Sequence, residues 1–382
     1  MRTLSAYVHI PFCASRCGYC DFNTYTAAEL QRDGTSITAV TYPDRVIAEV
    51  NWLRESNAKD DRPLSTVFFG GGTPTLIESK ELVRILHSLK SNYGLSDDVE
   101  VTTEANPDSV SLQDLEILRA GGFTRISFGH QSSATNVLAL LERTHTPGKT
   151  WQAVSDARSA GFEHVSVDLI YGSPGETDAD LAETLDQVAS ADVDHVSAYS
   201  LIVEPGTRLA ARVARGETPN PSDDVAAHRY GLIDTKLRSL GMSWYEVSNW
   251  AKPDGECKHN IAYWRNQDWL GIGPGAHAHS AGTRSWNLKH PAAWAARVDE
   301  GDSAVAEFEV LQPSDIKHEE IMLGLRLREG LPLTNLDADG LAQAQLAVTE
   351  GLLESASFAE GKAILTFQGR LLADGLVARL WA

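Results

Sequence analysis

Through the first two hundred residues, apolar runs of strand character alternate with amphipathic stretches of helical period. The runs fall at residues 4–10, 66–69, 99–103, 125–128, 164–170 and 195–203. They carry mostly β-branched, aromatic and other apolar side chains, which suit a buried pleated surface. Between them, residues 44–54, 79–91, 111–120, 135–141, 150–160 and 178–190 repeat apolar positions every three or four residues, as a helix with one buried face does. Punctuation supports this register. Ser111 with Asp114 three positions on reads as a helix start, and Gly121-Gly122 and Gly161 read as stops. Alternating strand and helix predicts parallel strands joined by right-handed crossovers. Six such units predict an α/β fold, a partial (β/α)6 barrel, short of the usual eight units.

The pattern changes further on. A helix at 223–240 precedes a strand at 242–247 and then an aromatic-rich segment. Beyond about 310 come helices at 317–327 and 341–353, a strand at 363–367 and a last helix near 370–380. The chain therefore divides into a barrel with its extension, residues 1–290, and a smaller C-terminal α+β domain of winged-helix-like order, residues 291–382. Such modules often bind DNA, but this one is rich in Asp and Glu and has no basic recognition helix. A lid or docking role fits it better.

Charge narrows the partners. The 382 residues carry 52 acidic and 33 basic side chains, a net charge of −19. Extended contact with a nucleic-acid backbone needs clustered Lys and Arg, so nucleic acid is not an expected partner. Hydrophobic content is 42%, ordinary for a globular chain. No stretch approaches the ~18 apolar residues of a membrane span. The N-terminus runs into a strand pattern rather than the apolar core of a signal peptide. A cytoplasmic protein is expected, with peripheral membrane docking left open.

The chemistry concentrates at Cys13, Cys17 and Cys20. The spacing C-x3-C-x2-C delivers three thiolates to one centre. An electron-carrying [4Fe–4S] cluster takes four cysteines; three leave one iron open, and an open position lets a metal centre bind a further ligand. A zinc site would need a fourth ligand, for which His9 is the nearest candidate. Disulfides fit an odd cluster poorly, with Cys257 the sole remaining cysteine. In barrels of this kind, chemistry sits at the C-terminal strand ends. The cysteine loop, Gly70-Gly71-Gly72, Glu104, Gln131 and Asp168 all fall there. Glycines permit close backbone approach to a ligand, Arg143 suits carboxylate recognition, and a carboxylate at Asp168 inside an apolar strand is costly unless paired.

The C-x3-C-x-aromatic-C loop resembles the signature of radical S-adenosylmethionine (SAM) enzymes, whose open iron chelates SAM. Tyr-Val-His-Ile-Pro-Phe-Cys, Phe-Gly-Gly-Gly-Thr-Pro, Ser-Phe-Gly-His-Gln-Ser and Asp-Leu-Ile-Tyr-Gly-Ser-Pro-Gly occur in order along the barrel. Together they resemble the oxygen-independent coproporphyrinogen III oxidase (HemN-like) branch of that family. The resemblance covers residues 4–290 clearly and the C-terminal module loosely. It implies a radical-SAM barrel with a [4Fe–4S] cluster on Cys13, Cys17 and Cys20. It also implies SAM bound by Tyr7, Gly71, Gly72, Thr73, Glu104, Gln131, Arg143 and Asp168. By the same likeness Tyr19 packs near adenine, and Ile170 and Ala198 lie further along the cavity.

Two features depart from the oxidase. That enzyme has a cysteine two positions after the third cluster ligand, where this chain has Phe22. Residues 257–265, Cys-Lys-His-Asn-Ile-Ala-Tyr-Trp-Arg, carry an H-N-x-x-Y-W element similar to the mark of the haem-chaperone (HemW-like) members of the branch. His259 or Cys257 could then ligate haem iron, with Asn260, Tyr263 and Trp264 around the porphyrin. Equally, His259 and Asn260 could hydrogen-bond a loop while the aromatics fill its core. His277, His279 and His130 are further imidazoles, and the sequence explains no role for His130. The expected function is a haem-binding chaperone that carries a SAM-coordinating cluster and hands haem to acceptor proteins, at the membrane or elsewhere. It would need an electron donor, and a homodimer is left open. The alternatives are radical oxidative decarboxylation of coproporphyrinogen III and a related radical SAM methyltransferase.

Overall fold

The six expected strands form one parallel array in the computed structural model, which describes residues 2–33, 35 and 37–381. They are β1 (Leu4–Ile10), β2 (Leu64–Gly71), β3 (Leu95–Ala105), β4 (Arg125–Gln131), β5 (His164–Tyr171) and β6 (His195–Ser200). Each pairs in parallel with the next. The crossovers include α1 (Tyr42–Ser56), α2 (Ser79–Tyr93), α3 (Leu112–Ala120), α4 (Thr135–Leu141), α5 (Lys149–Ser159) and α6 (Asp178–Ser190). The Ser111–Asp114 capping box is formed at α3, and Thr177–Asp180 caps α6 the same way. In α2 the buried positions Leu82, Ile85, Leu86 and Leu89 form the stripe that packs on the sheet. All but one residue of β1 are buried, as expected of a central strand covered on both faces.

The sheet extends further than the sequence pattern indicated. It has twelve strands. At the β6 edge, β7 (Ser243–Glu246) and β8 (Asn249–Ala251) add antiparallel pairs. At the other edge β9 (Asp268–Ile272) pairs in parallel with β1, Leu4 opposite Asp268 and Val8 opposite Ile272. The barrel thus gains a seventh parallel strand, from a segment too short and too Gly-rich to show strand periodicity. Beyond it β10 (His277–Ser280), β11 (Thr283–Asn287) and β12 (Val305–Val310) continue antiparallel. Ahead of β9, α7 (Asp223–Ser239) covers the sheet and α8 (Lys258–Trp264) enters the barrel.

Packing places the domain division later than residue 290. The helix α9 (Pro291–Asp299) seats Trp294 in the main core, and β12 belongs to the main sheet. A second core begins at Ile321 and gathers Leu325, Leu331, Ala344, Leu353, Leu376 and Leu380. We therefore place the boundary near residue 311. The module contains α10 (Pro313–Gly324), α11 (Ala338–Thr349) and α12 (Ala373–Leu380). Its β-wing is a two-residue pair, Leu331–Pro332 with Lys362–Ala363, instead of the strand expected at 363–367. A helix at Phe367–Leu371 takes up that segment's end and carries Arg370 back to the barrel. There Arg370 bonds Asp234 at 2.9 Å, and Asp234 also accepts from Trp250 Nε1.

Candidate functional site

Side chains alternate across a strand, so every second residue of β2–β6 faces the barrel interior. The inward rows are Thr66-Phe68-Gly70, Glu100-Thr102-Glu104, Arg125-Ser127-Gly129, Ser166-Asp168-Ile170 and His195-Ser197-Tyr199. Their lower members close the floor, and their upper members face the mouth.

At the mouth, β1 runs into the cysteine loop. Phe12–Cys13 pairs in parallel with Tyr25–Thr26, which closes a loop around Cys17 and Cys20. His9 Nε2 lies 2.9 Å from the Asn23 carbonyl, which can only accept, so Nε2 bears the proton. Nδ1 is then free to accept from Tyr7 OH at 3.0 Å. Tyr7 therefore holds His9, and His9 holds the loop's return. Gly18 is clamped from both sides, its N–H on the Leu141 carbonyl and its carbonyl on Leu209 N.

The glycine loop passes beneath. Gly72 N and Thr73 N donate to the Ile10 and Phe12 carbonyls at 2.8 and 2.7 Å. A Cβ at Gly72 would stand 2.4 Å from the Phe12 oxygen. Gly71 has φ +108°, a Cβ there would stand 2.5 Å from His9 Cε1, and its N–H donates to Glu104 Oε2 at 3.1 Å. These glycines let two loops touch backbone to backbone.

The charged residues meet opposite. Arg143 donates to Gly129 O at 2.8 Å and points Nη1 at Cys17 Sγ at 3.8 Å; its Nε is buried without a partner. Asp168 accepts from Ser127 Oγ at 3.1 Å. Burial, and then the neighbouring Asp168 charge, pushes Glu104 up to about 8 against the Gly71 N–H. Burial also raises Asp168, opposed by Ser197, Ser127 and Arg143. Two desolvated carboxyl groups in a cleft beside an under-bonded guanidinium suit a zwitterionic ligand, whose cationic group would favour their charged forms. Gln131 ends β4 at φ +68°. Tyr19 packs with Ile170, Val137, Leu141, Leu201 and Leu209 in one apolar cluster. Ala198 sits on the outward face of its strand, in the main core.

Burial raises the Cys13 thiol and pushes Cys20 up to about 11. The three cysteines are unpaired and half-exposed. Among the described residues, no three His, Cys, Asp or Glu groups converge as ligands of one ion. Three thiolates on three separate irons of a cluster need no such convergence, so the donor set fits a cluster better than a single zinc ion.

Residues 7–188 match the Radical SAM superfamily. Over 381 residues the chain is 47% identical to the heme chaperone HemW of Mycobacterium tuberculosis, covering 99% of this chain and 95% of that one. It is 33% identical over 380 residues to the heme chaperone HemW of Bacillus subtilis, covering 97% of each. Its structure matches the coproporphyrinogen III oxidase HemN from Escherichia coli with a TM-score of 0.83 at 25% identity, over 99% of this chain and 90% of that chain. The chain belongs to the HemW family. Membership in the radical SAM superfamily implies a [4Fe–4S] cluster and SAM.

The HemW-type segment 257–264 lies where a haem ligand would have least access. Helix α8 plugs the barrel floor. His259 is 1% exposed, with Nδ1 at 2.6 Å from Thr66 Oγ1 and Nε2 at 2.9 Å from Tyr263 OH, and it stacks on Phe68. Cys257 is buried against Glu100 Oε1 at 3.4 Å, and its thiol is driven far up by burial and that carboxylate. Glu100 also accepts from His259 N and pairs with Arg125 at 2.9 Å. Asn260 turns toward Tyr245, and Trp264 lies under the Arg326 guanidinium. Of the five residues, Tyr263 lines the large cavity beside the cysteine loop. His130 is a core residue, bonded to Thr150 and Ser133 and packed on Trp151.

Several working residues escaped the sequence reading. Ser127 and Ser197 hold Asp168, Asn23 ties the cysteine loop to the Pro274 and Lys289 carbonyls, and Glu100–Arg125 braces the floor. For the strand residues the signal was present as polar side chains two apart within apolar strands, which marks an inward row; Asn23, in the loop, carried no such signal.

Proposed function

We propose that this protein is a haem chaperone: it binds haem as cargo and passes it to acceptor proteins. The observation that carries the reading is the likeness to HemW proteins along nearly the whole chain. The Phe22 departure from the oxidase pattern agrees with it. Cys13, Cys17 and Cys20 hold the [4Fe–4S] cluster, which supplies a reducing electron and an open iron when bound. Gly71, Gly72, Thr73, Glu104, Gln131, Arg143 and Asp168 line the SAM pocket, with Tyr7 bracing its edge through His9. Arg143 orients the ligand's anionic side, and Glu104, held by the Gly71 N–H, and Asp168 meet its cationic side. An electron donor is required for any SAM cleavage. Among the described residues no helix is long and apolar enough to cross a membrane, which suits delivery from the cytoplasm with at most peripheral membrane contact.

The second reading, coproporphyrinogen III decarboxylation, is favoured by the fold match to HemN. One experiment separates them. After anaerobic cluster reconstitution, the protein should bind haem in stoichiometric amount. With SAM, reductant and coproporphyrinogen III, it should form no protoporphyrinogen. Sustained decarboxylation would overturn the chaperone reading even if haem also bound.

A further inference from the structure

A cavity of about 890 Å³ opens beside the cysteine loop, between the β9–β11 extension and helix α10. Its size is that of a cofactor site. Tyr7 and Gly71 form the wall it shares with the mouth of the barrel; Glu104, Arg143 and Asp168 do not border it. Cargo and SAM would thus occupy adjoining rooms.

The lining has the chemistry of a metal-bearing, flat, anionic ligand. Tyr263 and Trp269 meet edge to face at 4.8 Å and present aromatic surface. Met322 and Leu323 of α10 face them across the space. Arg16, Arg284 and Lys289 also line it, in a chain of net charge −19. Arg16 is shared with Glu29, and Arg284 with Glu309 and Glu319. Asp21 and Glu319 are the acidic residues of the lining. Among the described residues Lys289 has no side-chain partner, and it is exposed, so its charge is available to a carboxylate of the ligand.

Two imidazoles complete the set. His277 and His279 are two apart on β10, hence on one strand face. His277 is exposed and stacks on Trp286, and its ring nitrogens make no hydrogen bond among the described residues. His279 is 1% exposed, with Nδ1 at 3.1 Å from the Gln267 carbonyl, so that Nδ1 carries the proton. Its Nε2 is then a buried lone pair without a partner. Each of the two rings thus keeps a nitrogen lone pair that could reach a metal, His279 from a buried site and His277 from an exposed one. His259, by contrast, has both nitrogens engaged.

We propose that this cavity is the seat of the haem, that His277 ligates its iron, and that Lys289 meets a propionate. The assignment rests on the haem-chaperone reading and names the place and the ligand. His277 is preferred to His279 because its ring already faces open space.

The test is haem titration of the full chain, followed by optical and electron paramagnetic resonance spectra. His277→Ala should lose the imidazole-ligated spectrum and bind haem at least roughly tenfold more weakly, since a ligand contributes no less than the outer-shell partner that orients it. Added imidazole should restore the spectrum. Metal-free protoporphyrin, which needs the seat but no ligand, should bind His277→Ala as tightly as wild type and bind Lys289→Glu more weakly. His259→Ala should keep the wild-type ligation spectrum. A wild-type spectrum and affinity in His277→Ala would overturn the assignment, as would loss of ligation in His259→Ala, Cys257→Ala or His279→Ala alone. If wild-type protein takes up no haem at all, the chaperone reading itself fails, and the two failures are thereby distinguished.

Discussion

Replacing His259 by Ala separates a structural plug from an iron ligand. The side chain gives up hydrogen bonds to Thr66 and Tyr263, each worth about 1 kcal/mol net, and leaves buried hydroxyls to find new partners. It also vacates the space stacked on Phe68 at 5.0 Å. Together these should lower stability at pH 7 by about 2–4 kcal/mol, in the range of buried large-to-small changes. In a chain of 382 residues that is a fall in melting temperature of roughly 3–5 °C.

The same residue carries a pH signature. Burial, opposed only by Glu100, lowers His259 from 6.5 to about 4. Below pH 6.5 the unfolded chain binds a proton that the folded chain refuses, so stability must fall as pH drops from about 6.5 toward 4. The drop amounts to about 3 kcal/mol for this one group. His259→Gln, which keeps polar contacts and does not titrate, should flatten the acid limb by that amount while costing less than Ala at neutral pH. Thermal melts of wild type, His259→Ala and His259→Gln at pH 7, 6, 5 and 4 measure both effects. An Ala variant as stable as wild type that has lost its haem ligation spectrum would refute the structural reading.

Other outcomes follow from the geometry. Alanine at Cys13, Cys17 or Cys20 should abolish cluster assembly, checked by iron and sulfide content; a triple-alanine protein with unchanged content would contradict the assignment. Gly72→Ala should impair cluster retention without unfolding the barrel, because its Cβ would press on the Phe12 and Ile10 carbonyls of the loop above. Glu104→Ala should weaken SAM binding by roughly tenfold, the loss of one charge-assisted contact of ~1.5–3 kcal/mol, read by calorimetry on the reconstituted protein. Arg370→Met should leave Asp234 buried with Trp250 as its main partner, at a cost of about 3–5 kcal/mol. Limited proteolysis should then release the C-terminal module first, and Asp234→Asn in the same chain should restore part of the loss.

Much of the barrel was legible because its strands and helices each obey a single period. The strands of β1–β6 were found, and α4 was placed to the residue, since buried parallel strands are apolar runs and crossover helices have one apolar stripe. The cysteine triplet and the glycine loop were legible because the chemistry needs contiguous residues there. What was not legible is what depends on long-range pairing. β9 is a five-residue strand whose identity comes from lying against β1, some 264 positions away in sequence. β12 has an alternating pattern but five exposed residues, so the apolar signal that marks a strand is weak. Ala198 was given a place in the cavity by analogy, and strand parity turns it away from the interior that Ser197 and Tyr199 face.

The 257–264 segment shows how a motif can matter to a site it does not touch. His259 anchors α8 in the barrel floor, through Thr66 on one side and Tyr263 on the other. Tyr263 packs edge to face on Trp269 at 4.8 Å, and Trp269 donates from Nε1 to the His277 carbonyl at 2.9 Å. A chain of contacts therefore leads from the buried imidazole to the residue proposed to ligate iron. It runs through the two aromatic walls of the cavity. The five-residue β9, which starts four residues after α8, takes its register on β1 from this point, and that register carries the β10 histidines to the cavity. In this arrangement the H-N-x-x-Y-W element sets the shape of the cargo seat from below, while the ligand is supplied by β10 from the side. Loosening the floor should then weaken haem affinity modestly with unchanged ligation, whereas removing His277 should change ligation with an unchanged fold.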